Sequence, residues 1–283
     1  MGDLYLAMAI VTVLGAAALA ATVRVTRRWP RAALLPALLV GFAWLTVYVK
    51  YVVDAPIVAT LMPVSSAVVL GNWTPVLAAA LAGVAYRAIG GPVWRPLVTL
   101  VPLVGFAFYS AWWPVFSPRP ATHDKLVGRV WEQSHHSTCS PAAAATLLGA
   151  YDIPATESEM VGLCLTTPDG TATLGIYRGL RLKTAGRYDV EFITTTVEEL
   201  GGASSPMLLK CGIEVGRTVD PRYTRDWGWK PGIDHTVVLF RFLSPTQVEV
   251  GDPAAGLEVW TVDALRTLWR GEAIRLVPVG PQG

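Results

Sequence analysis

The stretch EQSHHSTCSPAAAATLLGAY, Glu132 to Tyr151, decides how the chain is read. Pro141 followed by an alanine run marks a helix start. Proline is tolerated at the first helical position, where its missing N–H would be unpaired anyway, and alanine is the strongest helix former. Cys139 therefore stands at a helix N-terminus, and three readings of its thiol are open: a nucleophile, a metal ligand held with His135 and His136, or a small buried residue.

Downstream, Glu157 to Leu165 and Thr171 to Thr184 carry helical periodicity, the second gathering Leu174, Ile176, Tyr177, Leu180 and Leu182 on one broad face. The pattern then changes. Val190 to Thr195, Pro206 to Val215, His235 to Leu243, Gln247 to Val250 and Leu257 to Thr261 are short, apolar or β-branched, and separated by turn residues. Asp263 to Trp269 reads as a short helix before a last strand, Ala273 to Val277. Helices first and strands afterwards predict an α+β domain with a largely antiparallel sheet.

Upstream the composition differs. Only nine charged side chains precede Ser117, against 35 in the 167 residues after Phe116, and the net charge divides as +5 and −3. The expected organisation is a transmembrane helical region over 1–116, a linker over 117–127 and a soluble domain over 128–283. A mildly acidic soluble half argues against nucleic acid as a partner, which requires a clustered basic face. The first half expects the lipid bilayer of an inner, cytoplasmic membrane instead.

A spanning helix needs about 20 apolar residues. Leu4 to Val23, Ala32 to Val49 and Pro96 to Phe116 meet or approach that, and the uncharged run Ala55 to Tyr86 reads as two short or tilted segments around GNWTP. Five spans are expected, with four as the alternative. The first segment has an acidic start and a long apolar run, features of an anchor rather than a cleaved signal. Basic residues favour the cytoplasmic side. Five spans put seven of them inside against three outside and the soluble domain in the cytoplasm; four spans give six against four and place that domain outside. Three cysteines, Cys139, Cys164 and Cys211, form no disulfide framework and suit a reducing compartment, although Cys164 and Cys211 could pair.

A helix N-terminus lowers a thiol pKa and offers N–H groups to an oxyanion. A nucleophilic thiol also needs a base and an orienting acceptor. His235 opens the strand HTVVLF and Asp252 ends the next one in VEVGDPAAG. Adjacent antiparallel strands joined at Leu243 to Gln247 bring the start of one beside the end of the other, so the two side chains should meet at one sheet edge. The metal reading is weaker, because HHSTC lies ahead of Pro141 and no second Cys or His pair completes a four-ligand set; neither metal nor cofactor is expected.

The segments QSHHSTCSPA (Gln133 to Ala142), DHTVVLF, GDPAAG and LWRGEA together resemble the bacteriocin-processing, double-glycine leader peptidases over roughly Gly128 to Leu276. These are papain-like cysteine proteases of bacterial exporters that cut leader peptides after a Gly-Gly pair on the cytoplasmic face. The resemblance implies a papain-like α+β peptidase domain with Cys139 as nucleophile, His235 as general base and acid, Asp252 orienting the imidazole, and the Gln133 side-chain amide donating to the oxyanion. It implies a peptide or protein substrate and a separate exporter as partner, since no phosphate-binding loop for an ATP-binding cassette follows before Gly283. Ser140 stands where the family usually has glycine, which also admits a catalytically impaired peptide-binding module. Trp227 and Trp229, just before His235 in RDWGWKPG, are candidates for a substrate-groove wall or for loop packing.

Overall fold

A computed structural model describes residues 1–201 and 206–280, so residues 202–205 and 281–283 of the expected soluble domain lie outside the described residues. The chain divides into two compact units at Ser117 and Pro118.

The first unit is all helical: α1 (Gly2–Thr26), α2 (Arg31–Tyr51), α3 (Pro56–Leu61), α4 (Ala67–Leu70), α5 (Thr74–Ile89) and α6 (Trp94–Phe116). Among the described residues, four stretches are long and apolar enough to cross a membrane: α1, α2, α4 with α5, and α6. Large apolar side chains such as Leu35, Leu39, Val40, Phe42, Val101 and Phe106 point outward. That outward apolar surface suits hydrocarbon rather than water.

Within Ala55 to Tyr86, where two segments were expected, only α4 with α5 is long and apolar enough to cross, which matches the alternative of four spans. The first part of that run forms only the six-residue α3, about 9 Å long at the usual helical rise. The direction of α5 agrees. Asp3 at the start of α1 accepts a hydrogen bond from Ser65, just before α4, at 2.9 Å. Further along, Gly15 lies beside Ala79, and a Cβ on Gly83 would fall 1.9 Å from Thr22 Oγ1 and 2.9 Å from the Leu19 carbonyl oxygen. The contacts advance together, so α1 and α5 run parallel. Helix α2 runs against α5, with Tyr48 donating to the Gly71 carbonyl at 2.6 Å and Gly41 beside Leu81. A fifth crossing through α3 would have reversed α5 relative to α1.

The second unit contains a short hairpin, β1 (Leu126–Val127) and β2 (Val130–Trp131), then α7 (Cys139–Gly149), α8 (Glu157–Leu163), α9 (Thr173–Thr184), β3 (Tyr188–Thr194) and α10 (Val197–Leu200). There follow β4 (Met207–Gly212), α11 (Pro221–Arg225), β5 (Asp234–Ser244), β6 (Gln247–Asp252), β7 (Gly256–Thr261), α12 (Val262–Leu268) and β8 (Trp269–Pro278). It is an α+β domain attached to an N-terminal helical region, as the order of helical and strand patterns predicts. The six-stranded sheet has the order β3-β8-β4-β5-β6-β7, with every pairing antiparallel. The last strand inserts between β3 and β4, a placement that local pattern does not reveal.

Helix α7 is the buried centre. Ala142 to Leu148 are all buried, which is why this stretch is so poor in polar groups. The central strand β5 is covered on both faces, and Thr236 to Phe240 are buried in succession. Leu209, Cys211, Val237, Leu239, Val248 and Val250 form a second core with Leu265 and Leu268 of α12. The expected linker is also partly structural. Arg119 donates to the Thr166 carbonyl at 3.1 Å, and Asp124 accepts from the Ser158 backbone N–H at 2.7 Å, so residues 118–127 belong to the second unit.

Candidate active site

The site begins with the turn that delivers Cys139. Thr138 Oγ1 donates to the His135 carbonyl at 2.9 Å and accepts from the His135 N–H at 3.0 Å, closing HHST into a tight turn. Helix α7 then starts at Cys139 itself, two residues before Pro141. Proline is still accommodated, because all of the first four N–H groups of a helix lack partners within it. The preceding loop is held at two further points. Gln133 N–H donates to the Pro253 carbonyl at 2.8 Å, and Ser134 gives both its N–H, at 2.7 Å, and its hydroxyl to the buried Glu157 carboxylate.

Strands β5 and β6 supply the rest. Their register pairs Val238 with Gly251 and Leu239 with Val250, which brings the beginning of β5 to the end of β6. His235 Nε2 lies 2.7 Å from Asp252 Oδ1, the meeting expected from the two strand ends. Asp252 is only 6% exposed, and the same oxygen accepts the Ala254 N–H at 2.7 Å, so its orientation is set from two sides. With Nε2 committed to Asp252, Nδ1 is the ring nitrogen left to serve the Cys139 thiol at the start of α7.

Burial disfavours the Cys139 thiolate. The neighbouring His235 imidazole, the Thr236 backbone N–H and the Ser140 hydroxyl outweigh it and hold the thiol below its ordinary range. Burial would likewise lower His235, but Asp252 and Cys139 push it up to about 10. Both shifts favour the charged form of the group concerned. Cys164 and Cys211 behave oppositely. Both are free and fully buried, so the pairing left open between them is not made, and desolvation raises the Cys164 thiol to about 12 and Cys211 further still.

Ser140 is engaged within the fold. Its buried hydroxyl shares a 2.8 Å hydrogen bond with Thr236 Oγ1, tying the first turn of α7 to the residue after His235, and lies 3.9 Å from Cys139 Sγ. The two tryptophans separate. Trp229 sets its ring edge-on to the His235 imidazole, with centroids 5.6 Å apart, whereas Trp227 is 53% exposed and packs on Tyr223 of α11. The His135 and His136 rings lie 3.9 Å apart, tilted by 42° to each other, and His135 Nδ1 shares a 2.8 Å hydrogen bond with Ser137 Oγ. No group of three or more potential metal ligands occurs among the described residues.

The backbone of Gln133 is one hydrogen bond from the residue after Asp252, which places it beside that carboxylate. Its Oε1 is buried with no hydrogen-bond partner among the described residues. Three further residues shape the site without having been singled out from sequence: Thr236, Glu157 and Ala254. Thr236 was legible only as the neighbour of His235. Nothing local links Glu157 to Ser134, 23 positions earlier.

No protein-family model and no curated protein matches the chain. Solved structures do. The chain is similar to the peptidase domain of Streptococcus ComA, described as a bi-functional ABC transporter involved in a quorum sensing pathway, at 20% identity over 56% of this chain and all of that one, with a TM-score of 0.41. It is similar to a double glycine motif protease from an AMS/PCAT transporter in complex with the leader peptide, at 17% identity over 58% of this chain and all of that one, TM-score 0.42. It is also similar to the peptidase domain of Streptococcus mutans ComA, at 20% identity over 53% of this chain and 99% of that one, TM-score 0.37.

Proposed function

We propose that the chain is a membrane-anchored cysteine peptidase with Cys139 as nucleophile. The observation that carries the reading is the 2.7 Å contact from His235 Nε2 to Asp252 Oδ1, beside a Cys139 thiol that the imidazole and the Ser140 hydroxyl hold below its ordinary range. A thiol that is merely structural belongs with Cys164 and Cys211, buried and held protonated.

In this mechanism the Cys139 thiolate attacks the scissile carbonyl carbon. The oxyanion is received by backbone N–H at the start of α7 and by the Gln133 side-chain amide. His235 gives its Nδ1 proton to the amine nitrogen as the C–N bond breaks, leaving a thioester on Cys139. Neutral His235 then takes a proton from water, the hydroxyl adds to the thioester carbonyl, and the C–S bond breaks to restore the thiolate–imidazolium pair. Asp252 keeps the ring oriented through both half-reactions, and Trp229 covers the imidazole edge from water. Ser140 supports this geometry rather than obstructing it, because its hydroxyl is engaged with Thr236.

The resemblance noted from the sequence makes a peptide ending in Gly-Gly before the scissile bond the first substrate to try. Full-length chain in detergent should cleave it with a kcat/KM that Cys139→Ala abolishes, and iodoacetamide should alkylate Cys139 well below the ~8.5 of a free thiol. Cleavage surviving Cys139→Ala, or an ordinary thiol titration, would overturn the proposal. Tight peptide binding without cleavage would reassign the site to holding a peptide.

A further inference from the structure

The helical unit carries its charges in a sharply divided way. One end of the bundle is formed by the loop between α1 and α2 and the loop between α5 and α6, and it holds Arg24, Arg27, Arg28, Arg31, Arg87 and Arg95 with no acidic residue. The opposite end, formed by the start of α1, the segment from α2 through α3 to α4, and the end of α6, holds Lys50 together with Asp3 and Asp54. The parallel course of α1 and α5 is what assigns the loops to these ends.

Short loops rich in arginine and lysine stay in the cytoplasm, whereas long folded domains cross largely regardless of their charge. Six basic residues against one in the short loops orient the bundle with its arginine end inside. Adding Arg119, Lys125 and Arg129 to the other side still leaves six against four. Lys125 is paired with Glu132 and Arg129 with Glu249, inside the folded second unit, so they contribute little net charge to the membrane flank. From the α1–α2 loop the chain crosses three times, through α2, α4 with α5, and α6, and it leaves α6 at the end opposite the arginines.

We infer that the second unit lies outside the cytoplasm and that its Cys139 site acts on peptide segments that have already been translocated. The membrane half of this inference stands on the bundle alone; the substrate half rests on the peptidase reading above. A bilayer does not pass an extended peptide, so a site on the outer side meets only peptides outside the cytoplasm, and of the cell's own chains only exported ones. The cytoplasmic placement that accompanies five spans loses its basis with the fifth span. The cysteine argument for a reducing compartment weakens too, because Cys164 and Cys211 are sealed in the core as unreactive thiols.

The test is side-specific labelling of the full chain in intact cells with a membrane-impermeant maleimide, in a Cys139→Ala background. Val215→Cys, at a position 83% exposed, and Asp263→Cys, whose parent side chain is 87% exposed, report the second unit. Trp29→Cys, in the α1–α2 loop and 41% exposed in the parent, reports the arginine end. Both domain reporters should label as fully in intact cells as after lysis, and Trp29→Cys only after lysis. The reverse pattern overturns the inference whatever the peptidase does. In parallel, cells carrying the chain with Cys139 intact should cleave an added Gly-Gly peptide without lysis. Outside labelling with no cleavage by intact or lysed cells defeats the peptidase reading, and the substrate half with it, while the membrane assignment stands.

Discussion

Asp252→Asn isolates the contribution of one buried charge. The substitution keeps the shape of the side chain and an oxygen that can accept from both His235 Nε2 and the Ala254 N–H, but removes the negative charge 2.7 Å from the ring. A hydrogen bond to a charged group is worth about 1.5–3 kcal/mol. At about 1.4 kcal/mol per pKa unit, His235 should fall by roughly one to two units from its raised position near 10. The sign follows from the charges: the imidazolium loses an anionic partner, so it deprotonates at lower pH. Activity that requires the thiolate–imidazolium pair rises through the lowered Cys139 ionisation and falls through that of His235, which makes a bell-shaped profile of kcat/KM. The basic limb should therefore move down by one to two units, and the same free energy lost from the transition state lowers kcat/KM near neutrality by about ten- to hundredfold. The assay is initial cleavage rates against pH for both chains, with Cys139 alkylation rates as a second readout. An unmoved basic limb together with an unchanged rate would refute the assignment of Asp252 as the partner that stabilises the imidazolium.

Other perturbations separate the roles of neighbouring groups. Ser140→Ala leaves the buried Thr236 hydroxyl short of its partner, and denaturant unfolding should show a loss of about 1–3 kcal/mol, with cleavage retained if Ser140 only braces the helix start. Glu157→Ala removes the acceptor of two Ser134 hydrogen bonds; stability should fall by at least about 1–3 kcal/mol and kcat/KM should fall as the Gln133 loop loosens, whereas Asp263→Asn at an exposed surface should change neither. Leu148→Ala empties a fully buried position of α7 and should cost about 2–5 kcal/mol, read as a drop in the unfolding midpoint.

The division of the chain, the α+β order and the meeting of His235 with Asp252 were legible in the residues. Each rests on local information: charge counts over long windows, helical and alternating periodicity, and a hairpin whose short loop forces the start of β5 against the end of β6. The same holds for Cys139 at a helix start, since Pro141 and the alanines act within one turn. Distant packing decided the rest. A local apolar run does not state how its helices run against one another; α5 lies parallel to α1, where Gly83 admits the backbone of α1 at close range. Which of two tryptophans meets His235, that Ser140 spends its hydroxyl on Thr236, and that Glu157 holds the loop before the thiol all depend on residues brought together across 6 to 96 positions. Local sequence carries periodicity and turn chemistry, but burial selects distant partners only when the whole core closes, and here that closure gives Cys139 its surroundings.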